Sequence, residues 1–206
     1  MSTNIELLSV NNKLIQIQND VREFFNWDIK LDEDSAIELL STVENSSIDV
    51  WTRSQRLVTL ANLRRRLVLR KTKIAVLGAA VDKSEVISTL ESSSLFVAAD
   101  GAVGVFSSLP ETISERAWSR LACIVSDADG GDGTIAAVKK SIPVILHAHG
   151  DNFDSWKNLL KVASQVPHPP RLVLTHQTPD KIEGMHNPGG FTDGDRAVCF
   201  LSLIHI

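Results

Sequence analysis

The sequence predicts an α/β fold: a doubly wound, mostly parallel sheet preceded by a helical N-terminal region. Two observations carry this. From residue 73 onward, short apolar runs rich in β-branched residues alternate with stretches of helical spacing, and continuous apolar strands separated by helices belong to parallel sheets covered on both faces. Before residue 70 only the helical period is found. The expected organisation is therefore a helical region over 1–70, an α/β domain over 71–200 and a short tail over 201–206.

Taken in order, Leu14, Ile15, Ile17, Val21, Phe24 and Phe25 outline one helix, with Trp27 beyond it. Asp34 or Ser35 would cap a second helix through Ala36, Leu39, Leu40 and Val43, which Asn45-Ser46-Ser47 breaks. Val50, Leu57, Leu60, Leu63 and Leu67 give the apolar stripe of a third. The expected strands are Ile74-Ala75-Val76-Leu77, Leu95-Phe96-Val97-Ala98-Ala99, Cys123-Ile124-Val125, Val144-Ile145-Leu146 and Leu172-Val173-Leu174. Helices are expected between them over 84–90, 113–121, 134–140 and 155–166.

Composition narrows the function classes. With 206 residues and 43% apolar content the chain can build one ordinary domain and a small appendage. Charged residues at 22% and a mean hydropathy of +0.02 argue against disorder. No apolar run approaches the roughly 18 residues of a membrane helix, and no signal peptide is read at the N-terminus, so the expected compartment is the cytoplasm. A net charge of −4 argues against a general nucleic-acid binder. Eight Lys or Arg and no acid lie in 51–73; a solvated helix face is favoured there over a polyphosphate-binding surface. Cys123 and Cys199 sit in apolar runs and are expected to be buried, inert thiols.

Where the polar residues fall is more informative. The second strand runs into Asp100-Gly101-Ala102, and the third into Ser126-Asp127-Ala128-Asp129-Gly130-Gly131-Asp132-Gly133. The fourth runs into His147-Ala148-His149-Gly150-Asp151-Asn152, and the fifth into Thr175-His176-Gln177. Ligands of open α/β sheets bind outside the carboxyl ends of the strands, so one parallel sheet would gather these clusters into an acidic crevice.

Asp127 and Asp129, two residues apart on an extended segment, would face the same side and repel. A hard divalent cation relieves that repulsion, and Mg²⁺ is held by one or two carboxylates plus substrate phosphates. Asp100 and Asp151 would complete or support such a site. The glycines at 101, 130, 131, 133 and 150 allow sharp turns and close approach to a ligand. Asp132 has even odds of being only a turn residue. His147 and His149 lack a third ligand at metal spacing, so hydrogen bonding to phosphate, or holding Asp151, is preferred. His168, among prolines, reads as an exposed loop residue, and His176 and His186 stay open. In Asn187-Pro188-Gly189-Gly190-Phe191-Thr192-Asp193-Gly194-Asp195-Arg196, Thr192 or Asp193 would cap a helix, and the loop would bring Phe191, two acids and an Arg to a ligand.

Taken together, Ala99-Asp100-Gly101-Ala102, Ser126-Asp127-Ala128-Asp129-Gly130, His147-Ala148-His149-Gly150-Asp151-Asn152, Thr175-His176-Gln177 and Gly189-Gly190-Phe191-Thr192-Asp193-Gly194-Asp195-Arg196, in that order, resemble the archaeal 6-hydroxymethyl-7,8-dihydropterin pyrophosphokinase (MptE-like) family. Those proteins share their core fold with thiamine pyrophosphokinases. The resemblance covers the chain from about residue 73 and extends loosely to the helical region. It implies an Mg²⁺-dependent diphosphotransferase that moves the β,γ-pyrophosphoryl group of ATP to the hydroxymethyl oxygen of the dihydropterin, leaving AMP. On this resemblance Asp127 and Asp129 bind Mg²⁺, while Asp100 and Asp151 support the metal or the attacking hydroxyl. His149, Asn152, Thr175 and Gln177 contact phosphates or ribose, and Arg196 neutralises phosphate charge. Asp193 or Asp195 accepts the guanidine-like edge of the pterin, in a loop where Gly190 and Thr192 flank Phe191, which stacks on the ring. A homodimer is usual in this fold group.

The chain departs from relatives at Ala128, where many carry Leu, but both acids are kept. The Gly78-Ala79-Ala80-Val81-Asp82 turn has fewer glycines than in many relatives, which argues against a phosphate contact there. Residues 201–206 read as the translation of a sequencing adapter on a truncated frame. In that case apolar surface near Val198 and Phe200 would be left uncovered. Two alternatives stay open: a diphosphokinase of the same fold acting on thiamine or another alcohol, and a nucleotide-sugar or glycan-related protein.

Overall fold

The computed structural model describes residues 12–68 and 73–204. Residues 205 and 206 of the expected tail, and Arg70 and Lys71 of the basic run, lie outside the described residues. Three helices come first: α1 (Asn12–Phe25), α2 (Ile29–Glu44) and α3 (Arg53–Val68), with a 3₁₀ turn at Asp49–Trp51 before α3. Strands and helices then alternate as β1 (Lys73–Leu77), α4 (Lys83–Glu91), β2 (Ser94–Ala99), α5 (Glu111–Arg120), β3 (Leu121–Ser126), α6 (Gly131–Lys139), β4 (Val144–Ala148), α7 (Phe153–Gln165), β5 (Leu172–His176) and α8 (Asp193–Ile204). A nine-residue 3₁₀ segment, Asp100–Ser108, follows β2 and was not foreseen. All five expected strands are present.

The sheet is wholly parallel, in the order β1-β2-β3-β4-β5. Right-handed crossovers between consecutive neighbours put every connecting helix on one face. That face carries Phe96, Ala98, Ile124, Leu146 and Leu174, packed against Val86 and Leu90 of α4, Val138 of α6, and Trp156 and Leu160 of α7. α2 joins the same layer through Ala36, Leu39 and Val43. The alternate strand residues Val97, Cys123, Val125, Ile145 and Val173 face the other way and meet Leu60, Leu63 and Leu67 of α3 and Ala197, Phe200 and Ile204 of α8. The sheet is thus covered on both faces, and the second cover comes from the helices before β1 and after β5.

Among the described residues no helix is long and apolar enough to cross a membrane. Cys123 and Cys199 are free and buried, and burial pushes the Cys123 thiol up to about 12. Of the basic run, Arg53 and Arg56 pair with Glu44, and Arg66 donates to the Ser119 carbonyl.

Three local expectations need correction. Asp28, not Asp34 or Ser35, caps α2: its carboxylate accepts from Lys30 N at 2.9 Å. Ser35 is instead buried mid-helix, donating to Asn152 Oδ1 and accepting from Trp156 Nε1. In α1 the expected apolar stripe is inverted. Gln18 and Arg22 are the buried positions, whereas Ile17, Phe24 and Phe25 are exposed. The cause is what α1 packs on, namely polar strand-end loops rather than the apolar core. Near the C-terminus Phe200 is fully buried in the second layer, Leu201, Leu203 and Ile204 continue α8 as buried residues, and Val198 alone of the two residues named is exposed.

Candidate active site

At the carboxyl ends of the strands lies a cavity of about 660 Å³. Asp127, Asp129, His149, Gly150, Asp151, Gln177, Phe191, Thr192, Asp193 and Arg196 line it, from the cluster positions expected of the sequence. Carboxylate oxygens of Asp100, Asp127, Asp129 and Asp193 all lie within 4.8 Å of one another. Asp100 leaves β2 with φ +47° and is buried; its Oδ1 accepts from Ser126 Oγ and from Thr134 Oγ1 (3.0 Å). Asp127 and Asp129 do share a side, but not along a straight strand: Ala128 between them has φ +78° and its N–H donates to Ser126 Oγ at 2.9 Å. Two non-glycine residues in the left-handed region, both beside the acids, mark strain that the surrounding packing holds in place. Gly130 is required here, since a Cβ on it would sit 2.1 Å from Asp100 Oδ2.

The acids divide into two kinds. Burial works to raise the Asp127 carboxyl, but the hydrogen bond from His149 and the Arg196 guanidinium outweigh it and hold it below the ordinary range. Asp127 Oδ2 lies 3.2 Å from His149 Nε2 and 3.4 Å from an Arg196 terminal nitrogen. Burial and then the Asp127 charge push Asp129 up to about 6 and Asp193 up to about 7. Asp127 Oδ1 is buried with no hydrogen-bond partner. Four crowded carboxylates, two of them driven toward protonation and one with an orphaned oxygen, are the donor set that a hard divalent cation satisfies.

The other expected residues sort by their bonding. His149 bridges Asp127 and Asp151, whose carboxylate is 2.7 Å from Nδ1 and almost fully exposed at the cavity rim. Arg196 is buried, donating to Asp193 at 3.1 Å and to Gln177 Oε1 at 3.2 Å, and its Nε has no partner. Asn152 and Thr175 are buried in the scaffold. Asn152 accepts from His149 N and donates to the carbonyls of Asp127 and His147, and Thr175 bonds His147 Nδ1 and the Leu146 carbonyl. His147 is buried and held neutral, chiefly by desolvation. Thr192 caps α8 reciprocally with Asp195: Asp195 N–H donates to Thr192 Oγ1, and Thr192 N–H donates to Asp195 Oδ2. Gly190 (φ +81°) lets its loop lie against the start of α8, where a Cβ would meet Arg196 N at 2.7 Å. Asp132 is exposed in the first turn of α6 and does not line the cavity. His168 is exposed, and His176 is buried with its ring lowered to about 4 by desolvation.

Six further lining residues, Arg22, Asn26, Trp27, Asp28, Leu31 and Asp32, come from α1, α2 and their corner. Sequence reasoning missed them. Asp32 is buried and fully engaged: Oδ2 accepts from Arg22 (3.0 Å) and Gln177 Nε2 (2.9 Å), and Oδ1 from Gly150 N (2.7 Å). The available signal was a polar pair, Gln18 and Arg22, spaced one helical turn apart on α1 and flanked by apolar residues that the helix does not bury.

No family model matches the chain. Three curated relatives do, all named 6-hydroxymethyl-7,8-dihydropterin pyrophosphokinase. The protein from Methanocaldococcus jannaschii is 28% identical over 195 residues, covering 89% of this chain and 70% of its own length. That from Methanothermobacter thermautotrophicus is 37% identical over 76 residues, 36% of this chain and 30% of its own. That from Pyrococcus furiosus is 35% identical over 74 residues, 36% of this chain and 29% of its own. Nearly the whole chain aligns with one of these proteins, and the shorter matches carry the same name, so the chain is similar over most of its length to archaeal proteins named 6-hydroxymethyl-7,8-dihydropterin pyrophosphokinase.

Proposed function

We propose that this protein transfers the β,γ-pyrophosphoryl group of ATP to the hydroxymethyl oxygen of 6-hydroxymethyl-7,8-dihydropterin, releasing AMP and the pterin diphosphate. The observation that carries the reading is the four-carboxylate cluster at the strand ends, set in a cavity wide enough for a nucleotide and a second small molecule. The relatives' shared name supplies the acceptor.

Asp127 and Asp129 would hold Mg²⁺, with Asp100 and Asp193 beside them. Bound there, the ion would neutralise phosphate charge. Arg196, buried and fixed by Asp127, Asp193 and Gln177, supplies a cation whose position costs nothing to organise during reaction. His149 is poised between Asp127 and the exposed Asp151, where it can donate to a phosphate oxygen. Asn152 and Thr175 act by shaping these loops rather than by touching phosphate. The hydroxymethyl oxygen attacks the β-phosphorus, the bond from that phosphorus to the oxygen bridging the α-phosphate breaks, AMP leaves with that oxygen, and the hydroxyl proton is released to solvent. Of the two acids offered for the pterin edge, Asp193 lines the cavity, whereas Asp195 is committed to the Thr192 N–H. Asp193 is therefore the one assigned, with Phe191 stacking on the ring. A cytoplasmic setting and a homodimer belong to the same proposal.

Incubation with Mg·ATP and the dihydropterin is expected to give AMP and pterin diphosphate in equal amounts. AMP formed with thiamine and not with the dihydropterin would reassign the acceptor, and no AMP with either would overturn the reading. A second expectation concerns the metal. Asp129 carries a proton below about 6, and a cation bound by it must displace that proton. The rise in Tm on adding Mg²⁺ is therefore expected to be larger at about pH 8 than at about pH 5.5, levelling off above about pH 7. A rise that is equal or larger at the acid pH would remove Asp129 from the metal site.

A further inference from the structure

We infer that Trp27 and Phe191 form a slot for the flat ring of the acceptor, so that the helical N-terminal region sets acceptor choice. This rests on the pyrophosphoryl-transfer reading above. Trp27 and Phe191 both line the cavity, with ring centroids 5.9 Å apart and planes within 17° of parallel. Phe25 is stacked on Trp27 at 4.9 Å and 18°, and Phe24 meets Phe25 edge-on. Trp27 belongs to neither core layer and is 51% exposed, so its ring is not needed to hold the fold.

Its backbone, in contrast, is tightly fixed. Asn26 takes the left-handed conformation that ends α1 (φ +52°), and the Trp27 N–H returns to the Arg22 carbonyl at 2.9 Å, the Schellman arrangement. The next residue, Asp28, caps α2, and the buried Arg22–Asp32 pair crosses beneath the corner. A large, half-exposed aromatic carried on a corner whose backbone is fixed by these bonds, in the lining of the cavity, is suited to stack on a flat ring.

The cavity lining is of two unlike kinds: Trp27, Leu31 and Phe191 are apolar or aromatic, and Asp127 and Asp129 are acidic. That pairing suits a ligand set with a flat ring at one end and metal-bound polyphosphate at the other. Both adenine and a pterin are flat. Asp193, two residues from Phe191 on the same loop, lines the same cavity, and a carboxylate there favours the pterin, whose guanidine-like edge can donate to it. An inserted ring needs the planes about 7 Å apart, twice a carbon contact distance of about 3.5 Å. Trp27 must then shift outward by about 1 Å, a movement the half-exposed Phe25 behind it can follow.

The test is calorimetric titration of the full chain with 6-hydroxymethyl-7,8-dihydropterin alone and, separately, with Mg·ATP, for wild type, Trp27→Ala and Trp27→Phe. Trp27→Ala is expected to weaken pterin binding by roughly tenfold or more, the usual cost of losing an aromatic stack, and to leave Mg·ATP binding within roughly twofold. Trp27→Phe should restore most of the affinity. In turnover the KM for the pterin should rise with kcat little changed, and Tm should stay at the wild-type value. Unchanged pterin binding in Trp27→Ala would overturn this inference alone. Weakened Mg·ATP binding in its place would overturn it by giving the slot to adenine. Failure of the wild type to bind the dihydropterin would overturn both this inference and the reading beneath it.

Discussion

Asp127→Asn is expected to lower kcat/KM for pyrophosphoryl transfer by roughly a thousandfold, the scale of losing a preorganised electrostatic partner at a reacting phosphate. The side chain is nearly isosteric, so the loss comes from charge. Asp127 has one oxygen shared by His149 and Arg196, and another, buried, that nothing in the protein satisfies. Asparagine keeps one neutral acceptor and brings an NH₂ group that has no use beside a guanidinium. Stability should fall far less than activity. Removing one negative charge from four crowded acids relieves Asp129 and Asp193, whose carboxyls the Asp127 charge helps to raise. They would then titrate nearer the ordinary carboxylate range, which offsets part of the loss of the charged partner of His149 and Arg196, and thermal melts should show a Tm only slightly below that of the wild type. Activity within tenfold of wild type would mean that Asp127 holds neither the metal nor the phosphate cation Arg196.

Asp32→Ala should do the opposite, costing stability first, by about 3–5 kcal/mol. Asp32 and Arg22 form an ion pair at 3.0 Å with both side chains almost wholly out of solvent. Truncating the acid strands a buried guanidinium, the Gln177 amide and the Gly150 N–H, all of which now bond to Asp32. At roughly 2–4 °C per kcal/mol for a chain of this size, the Tm should drop by about 10 °C. The double variant Arg22→Met/Asp32→Leu should regain part of that loss, since replacing both members of a buried pair with apolar groups is often neutral. A single-variant cost under about 1 kcal/mol would show that water reaches the pair. An undiminished loss in the double variant would place the cost in Gly150 and Gln177 rather than in the stranded charge.

Asp32 also shows where sequence reasoning ran out. The strands were legible because a parallel sheet buried on both faces demands uninterrupted apolar runs, as in Leu95 to Ala99 of β2. The acid cluster was legible because those runs stop at their carboxyl ends, and four of the expected groups do converge on one cavity. The α1–α2 contribution was not legible, because hydrophobic periodicity assumes a helix packs on an apolar core. α1 packs on loops instead, so its polar side is the one buried: Gln18 donates to the Gly190 carbonyl and Arg22 to that of Gln177. The same blindness misplaced the α2 cap, since Asp34 and Ser35 are good cap residues by type and only the corner at Asn26 fixes the start at Ile29. Nor could residue type alone separate Asp193 from Asp195, which differ in whether the α8 cap consumes the carboxylate.

The sheet's sequential strand order has a consequence for biosynthesis. Each connecting helix covers its own strands soon after they are made, so the first layer can assemble by local steps. The second layer cannot. Val97, Cys123 and Val125 are covered by α3, made before the sheet, and by α8, made after it. A nascent chain carries a half-bare sheet until α8 leaves the ribosome, which is the exposure that invites aggregation and chaperone capture. α8 also delivers Asp193 and Arg196 to the cavity, so the cavity gains these two side chains only in the step that covers this face of the sheet.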